Sequence, residues 1–169
     1  MNTAVEYTTL DTPVGPVVVA WQGDAIVAVH LGTPPTAAYT STWTRVDGAD
    51  NRVIRQLWEY FAGSRREFDL EIDQSGTPFQ HRVWRAVAAI PFGQTRSYGE
   101  IARTIDRPRA VRAVGAANGR NAVPIVVPCH RVIAADGTLH GYAAGLEMKA
   151  ALLDFERSGV WGPAPRLDL

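Results

Sequence analysis

The run Pro124-Ile125-Val126-Val127-Pro128-Cys129-His130-Arg131-Val132-Ile133 is the stretch around which the rest of the chain is organised. It is an apolar segment, closed by a proline, that delivers the only cysteine of the 169 residues next to a histidine. A neutral, buried thiol is an inert small hydrophobe, whereas a thiolate is a strong nucleophile. Free cysteine is often simply buried, so a Cys-His pair alone decides nothing. The prolines add to it. Pro128 fixes its own φ and pushes Val127 towards an extended conformation, which sets Cys129 on a stiff loop outside any helix interior.

Upstream of this run the spacing predicts short helices. Gly119-Arg120-Asn121 turns the chain into the cysteine stretch. Before it, Ser97-Tyr98-Gly99-Glu100 is a capping box that opens a helix carrying Ile101, Ala102 and Ile105. Asp106-Arg107-Pro108 breaks that helix, and a second is predicted from Arg109 to Asn118, giving a helix-turn-helix pattern. Ala110, Ala113, Gly115, Ala116 and Ala117 make the second helix small-sided, fit for close approach to another surface or for packing on its neighbour. Arg107, Arg109 and Arg112 cluster at its start, where the helix dipole also favours anions such as phosphate. Further upstream, Thr77 is an N-cap with Pro78 at the first helical position. Phe79, Val83, Trp84, Val87 and Ile90 follow on one stripe, which reads as core.

Gln74-Ser75-Gly76 is the candidate linker between a unit of residues 1–76 and one of residues 77–169. In the first unit, Val5 to Leu10, Val17 to Trp21 and Ala25 to Leu31 read as an antiparallel meander. Thr33 to Asp50 reads as a surface loop. Asn51 to Ala62 reads as a helix with Val53, Ile54, Leu57, Trp58 and Phe61 inward, and Phe68 to Ile72 as an additional strand. None of these residues has an evident chemistry, which suits a support role. Downstream of Cys129, Asp136-Gly137 marks a turn and Tyr142-Ala143-Ala144-Gly145 a small-residue loop. Leu146 to Arg157 is predicted as a final helix with Leu146, Ala150, Leu153 and Phe155 inward, and Ser158 onward as a loose tail.

The net charge of zero hides an asymmetry. Residues 1–76 hold ten acids and five bases, whereas residues 82–131 hold nine arginines against Glu100 and Asp106. Arginine, with its planar fork, is the better phosphate binder. This pattern fits a solvated arginine-rich face and a polyanion-binding surface about equally. No apolar window is long enough to span a membrane, and no secretory signal is visible. A lone cysteine forms no internal disulfide, which fits the cytoplasm, and with four scattered histidines it offers no metal-ligand spacing.

Pro128-Cys129-His130-Arg131-Val132, in its context from Thr77 to Glu156, resembles the active-site signature of the O6-alkylguanine-DNA alkyltransferases (methylated-DNA–protein-cysteine methyltransferases). The resemblance covers about half the chain. It implies an α+β fold: a small N-terminal antiparallel sheet with a helix, ribonuclease-H-like, and a mostly helical C-terminal domain with a helix-turn-helix. It implies a monomer, without cofactor, that binds double-stranded DNA through the minor groove. There it flips out O6-alkylguanine, or O4-alkylthymine, and transfers the alkyl group irreversibly to its own Cys129, once per chain.

By the same resemblance His130 is the base that draws the thiol proton through a water. Glu156 holds the other imidazole nitrogen, and Asn121 braces the turn before the active site. Tyr98 turns the neighbouring phosphate and donates to the purine N3, and Arg112 fills the vacated stack. Arg107, Arg109, Ala113, Ala116 and Ala117 fall on the DNA-facing helix; Val132, Tyr142, Ala143, Ala144 and Gly145 fall on the base pocket. Much of the family has Ser or Gly after the pocket tyrosine, then two glycines. Ala143 and Ala144 depart from that pattern, which predicts intact methyl repair with weaker acceptance of bulky O6 groups. Two other readings compete. An alkyltransferase-like damage sensor would lack the acceptor cysteine. A thiol hydrolase or redox sensor would ignore DNA.

Overall fold

The computed structural model describes residues 4–165. The chain is α+β. Strands β1 (Glu6–Thr12), β2 (Gly15–Gln22) and β3 (Ala25–Leu31) form the expected meander, with Thr8 opposite Val19 and Val19 opposite Val29. Gly15, at φ +97, closes the first hairpin in a conformation that few other residues adopt. The sheet is wider than a meander and is not purely antiparallel. β4 (Thr44–Arg45) joins β1 in parallel, and β5 (Glu71–Ile72) joins β3 in parallel, giving the order β4-β1-β2-β3-β5. Residues 33–50 are therefore not all loop, and the strand expected over 68–72 shrinks to two residues. Strands this short carry no periodicity to read.

Helix α1 (Arg52–Phe61) starts where expected because Asn51 accepts a hydrogen bond from the Ile54 amide. Its inward face is Val53, Ile54, Gln56, Leu57, Tyr60 and Phe61. Trp58, expected inside, is 60% exposed. The buried positions run along the i, i+3, i+4, i+7 stripe, and Trp58 lies off it.

In the C-terminal half, α2 (Pro78–Ala88) opens with a complete capping box between Thr77 and Gln80. Strand β6 (Arg96–Ser97) leads into α3 (Tyr98–Thr104), again through a complete capping box, Ser97 with Glu100. A Schellman turn ends α3: Asp106 sits at φ +59, its amide donates to Arg103 O, and the Arg107 amide donates to Ala102 O. Helix α4 runs from Val111 to Gly119, two residues later than expected, so Arg107 and Arg109 lie in the turn and Arg112 in the first helical turn. Strand β7 (Val132–Ile133) pairs in parallel with β6 and ties the cysteine stretch to the start of α3.

Helix α5 (Leu146–Ser158) has a different phase from the one predicted. Met148, Lys149, Leu152, Phe155 and Glu156 point inward, while Leu146 is 47% exposed. Two charged side chains occupy the buried face, so a stripe sought among apolar residues alone comes out rotated. The start of the tail is held rather than loose: the Trp161 ring stacks on Phe155 at 3.8 Å and its indole N–H donates to Phe61 O at 2.7 Å. Residues 166–169 lie outside the described residues.

One apolar cluster runs through both halves, from Val17 and Leu57 to Val83, Val114 and Leu152. The halves also share hydrogen bonds, Val29 N–H to Ala122 O at 2.9 Å and Ala122 N–H to the Gln74 side chain at 3.0 Å. The expected linker is thus pinned at Gln74. At Gly76 a Cβ would lie 2.5 Å from the Trp84 ring, which is why the residue there is glycine. Among the described residues no helix is long and apolar enough to cross a membrane.

Candidate active site

The segment from Asn121 to Val127 is a tight turn made by local bonding. The Asn121 side chain donates to Val127 O at 2.8 Å and accepts from the Val123 amide at 3.1 Å. Ile125, a branched residue, is held there at φ +76, a strained conformation that buried surroundings enforce. Pro128 then caps a single 3-10 turn, Cys129–Arg131, rather than an extended segment. Successive side chains in such a turn point about 120° apart. Cys129, His130 and Arg131 therefore diverge.

Cys129 is 6% exposed, yet it lines a cavity of about 610 Å³. The same cavity is lined by Tyr98 of α3, by Gly115, Asn118 and Gly119 of α4, and by Tyr142, Ala143 and Ala144. The thiol and the arginine-bearing helix thus share one side of the molecule. Residues of the N-terminal half, including His30, Thr33 and Tyr39, complete the wall. Asn118 fixes the backbone at Cys129 by donating to its carbonyl at 3.2 Å.

The two residues that follow Cys129 belong to a buried charged group. His130 Nε2 is 2.8 Å from Glu156 Oε1. Arg131 grips the same carboxylate with two bonds, Nε to Oε2 and Nη2 to Oε1, both 2.8 Å, and donates from Nη1 to Ile90 O at 2.6 Å. The Tyr60 hydroxyl donates to Glu156 Oε1 at 2.8 Å, and the Gly93 amide to Oε2 at 3.2 Å. Burial alone would raise the Glu156 carboxyl, but its hydrogen bonds to His130 and Arg131, and their charges, hold it far below the usual carboxylate range. Burial lowers His130, and the Glu156 carboxylate opposes this without overcoming it. Burial likewise pushes the Cys129 thiol up, against the pull of Asn121, Tyr142 and the Lys149 ammonium. The resting site is therefore a neutral thiol beside a neutral imidazole, with the negative charge of Glu156 matched by Arg131.

Lys149 is the chain's only lysine and is fully buried. Its ammonium donates to Val132 O at 2.7 Å and His140 O at 3.0 Å and lies 5.9 Å from the centre of the Tyr98 ring. Tyr98 itself donates to His140 O at 3.2 Å. Sequence reasoning missed Lys149, Arg131, Tyr60 and Asn118. A single lysine among sixteen arginines was the one available signal; the others have partners at sequence distances of 11 to 96 residues, which no local pattern records.

Of the candidate DNA-facing residues, Arg107, Arg109, Arg112, Ala113 and Ala116 are exposed. Ala117 is not: it is 2% exposed, faces the core, and its carbonyl accepts from the Trp84 indole at 2.9 Å. Arg131 also leaves the basic surface, being buried in its ion pair. Of the eight other arginines between 82 and 131, seven are exposed and Arg96 is half-buried; none forms a salt bridge with another described residue. Of the expected pocket residues, Val132 is buried in the core and Gly145 turns the chain at φ +92, and neither lines the cavity, whereas Ala144 lines it and packs on the apolar cluster. No group of three or more metal-ligating side chains occurs among the described residues.

Residues 78–158 match the family described as 6-O-methylguanine DNA methyltransferase, DNA binding domain, and residues 5–74 the family described as 6-O-methylguanine DNA methyltransferase, ribonuclease-like domain. A methylated-DNA–protein-cysteine methyltransferase of Mycobacterium tuberculosis is 47% identical over 154 residues, covering 91% of this chain and 93% of its own. The constitutive methylated-DNA–protein-cysteine methyltransferase of Bacillus subtilis is 44% identical over 156 residues, covering 89% of this chain and 94% of its own. The crystal structure of Mycobacterium tuberculosis OGT in complex with DNA superposes with a TM-score of 0.82 at 48% identity, over 95% of each chain.

Proposed function

The chain belongs to the 6-O-methylguanine DNA methyltransferase family and is a DNA-repair methyltransferase; we propose that its alkyl acceptor is Cys129 and that each chain acts once. The observation that carries this assignment is the position of Cys129. It lines a cavity shared with Tyr98 and with α4, and the next residue, His130, is bonded to Glu156.

Double-stranded DNA binds along α4 through its minor groove, with the exposed Arg107 and Arg109 on phosphates and Ala113 and Ala116 allowing close approach. Arg112 enters the stack as the damaged base, an O6-alkylguanine or O4-alkylthymine, swings into the cavity. Tyr98 supports the flanking phosphate and donates to the purine. Tyr142, Ala143 and Ala144, which line the cavity, form the base pocket, while Val132 and Gly145, expected with them, lie outside that lining and support it.

The thiol proton passes through a water to His130 Nδ1, while Nε2 stays on Glu156. The sulfur attacks the alkyl carbon, the S–C bond forms and the C–O6 bond breaks with its electron pair going to the guanine. Donors on the base lower this barrier by stabilising the departing anion. The proton returns from His130 to the base, so the products are S-alkylcysteine and neutral guanine. Neutral His130 is the useful form, because an imidazolium accepts no proton; Arg131 helps to keep it neutral by matching the Glu156 charge. A thioether has no easy way back, hence a single turnover without cofactor.

Residues 77–169 are the binding and acceptor unit and residues 1–76 its support, acting as a monomer in the cytoplasm, where a free thiol persists. A duplex with one labelled O6-methylguanine tests the reading. One label per chain is expected, on Cys129, and none with Cys129→Ala. Label transferred in excess of protein would overturn it. The presence of Cys129 sets the chain apart from a damage sensor that only binds.

A further inference from the structure

We propose that Tyr60, on α1, is a positioning residue for the transfer: its hydroxyl holds the Glu156 oxygen that faces His130 and so sets how readily that imidazole accepts the thiol proton. The proposal rests on the assignment of His130 as the base.

A buried tyrosine hydroxyl usually finds a partner, and a core tyrosine with a satisfied hydroxyl is the plain reading. Three observations go further. Tyr60 comes from the half of the chain without a nucleophile, 96 residues from Glu156, yet its single donor reaches Oε1 at 2.8 Å. That oxygen is the one bonded to His130 Nε2, and Arg131 Nη2 also reaches it at 2.8 Å. With Arg131 Nε and the Gly93 amide on Oε2, five donors share two oxygens that offer about four lone-pair directions. Each donor on Oε1 draws electron density that would otherwise stabilise a proton on His130. The Tyr60 ring is also held in place, with Phe61, Phe68, Phe92 and Phe155 at centroid distances of 5.4 to 6.1 Å.

The ionisable groups facing this pair are few. Arg131 follows His130 in the chain, Lys149 and Glu156 come from α5, Tyr60 from α1, and Cys129 and Tyr142 from the cavity side. Arg66 lies beyond Phe92, its guanidinium 5.2 Å from the centre of that ring. Burial and the charges of Arg131 and Lys149 oppose protonation of His130 and Glu156 favours it; Tyr60 acts on it only through Oε1. Loss of the Tyr60 O–H leaves Oε1 with two donors and strengthens its hold on the His130 proton. The imidazole then titrates at a higher pH.

Tyr60→Phe removes one oxygen and keeps the ring. Single-turnover methyl transfer is measured across pH with saturating O6-methylguanine duplex, and His130 is titrated by ¹⁵N NMR without DNA. The acid limb of the rate profile is expected to move up by about half a unit, making the variant about threefold slower on that limb. The plateau above it is unchanged or higher. The imidazole titration moves the same way. Site-specific 3-fluorotyrosine at position 60, a stronger donor of nearly the same shape, moves both downward. An equal loss of rate at every pH, or a profile and titration that stay put in both variants, would overturn the proposal. A wild-type chain that transfers no methyl would sink the assigned reaction instead, while the DNA-free titration still tests Tyr60.

Discussion

Arg131 matters at the residue scale because it is the charge that Glu156 needs. The pair is buried and bidentate, and the carboxylate also serves His130. Removing one partner of such a pair strands the other in a low dielectric, which costs about 3–5 kcal/mol. Arg131→Met is therefore expected to lower the urea unfolding free energy by that amount. The double variant with Glu156→Gln should recover part of the loss, which a double-mutant cycle measures; simple additivity would contradict the coupling. The pocket residues give another prediction at this scale. Ala144 is half-buried against the apolar cluster and lines the cavity, where its methyl takes space that a glycine would leave free. O6-methylguanine should react faster than O6-benzylguanine in the same duplex, and Ala144→Gly should narrow the ratio; equal rates in the unaltered chain would remove the idea. The pairing of His130 with Glu156, and the proposed acceptor Cys129 on the cavity wall, were legible from a short signature and its spacing. Arg131 was read as surface charge, since only the folded chain brings Glu156, 25 residues on, against it.

At the scale of elements, the turn between α3 and α4 and the start of α4 present arginines with no ionic partners of their own among the described residues. Arg112→Ala should therefore leave stability within about 0.5 kcal/mol. Its expected effect is on the reaction: slower transfer from duplex, with the deficit lost on a single-stranded oligonucleotide, where no stack has to be filled. Arg107→Ala and Arg109→Ala should instead weaken duplex binding and reduce the salt slope by about 1 each. A rate deficit of Arg112→Ala that is equal on single strands would deny it the wedge role. Helix starts were legible because capping is local: Asn51, Thr77 and Ser97 each accept from an amide three residues ahead. Faces were less so. Trp58 turned outward and α5 rotated because Tyr60, Lys149 and Glu156 are drawn inward by partners far along the chain. The two-residue strands β4 to β7 exist only through their neighbours, and nothing in their own residues announces them.

For the whole molecule, the buried charges beneath the active site make folding depend on acid. His130 is disfavoured in its charged form when folded, because burial lowers its proton affinity. The unfolded chain then binds more protons below the ordinary histidine value near 6.5, so stability falls as the pH drops below it. Glu156 follows at lower pH. Its folded value lies far below the unfolded one near 4.3, so its contribution is complete above that value and is lost as the pH falls towards the folded value. Exposed carboxylates such as Glu100 and Asp136 shift in the same direction, but solvent screens them. Two successive losses are expected in urea midpoints measured from pH 7 to 3, the first near neutrality and the second below about pH 4.5. His130→Gln keeps a donor for Glu156 but removes the titration, so it should flatten the first fall and spare the second. Persistence of the first fall in that variant would assign it to His30, which burial also lowers, and would leave His130 without influence on the fold. Because the Glu156 carboxylate is gripped from both halves of the chain, urea unfolding at each pH should be one cooperative transition, seen alike by tryptophan fluorescence and by circular dichroism.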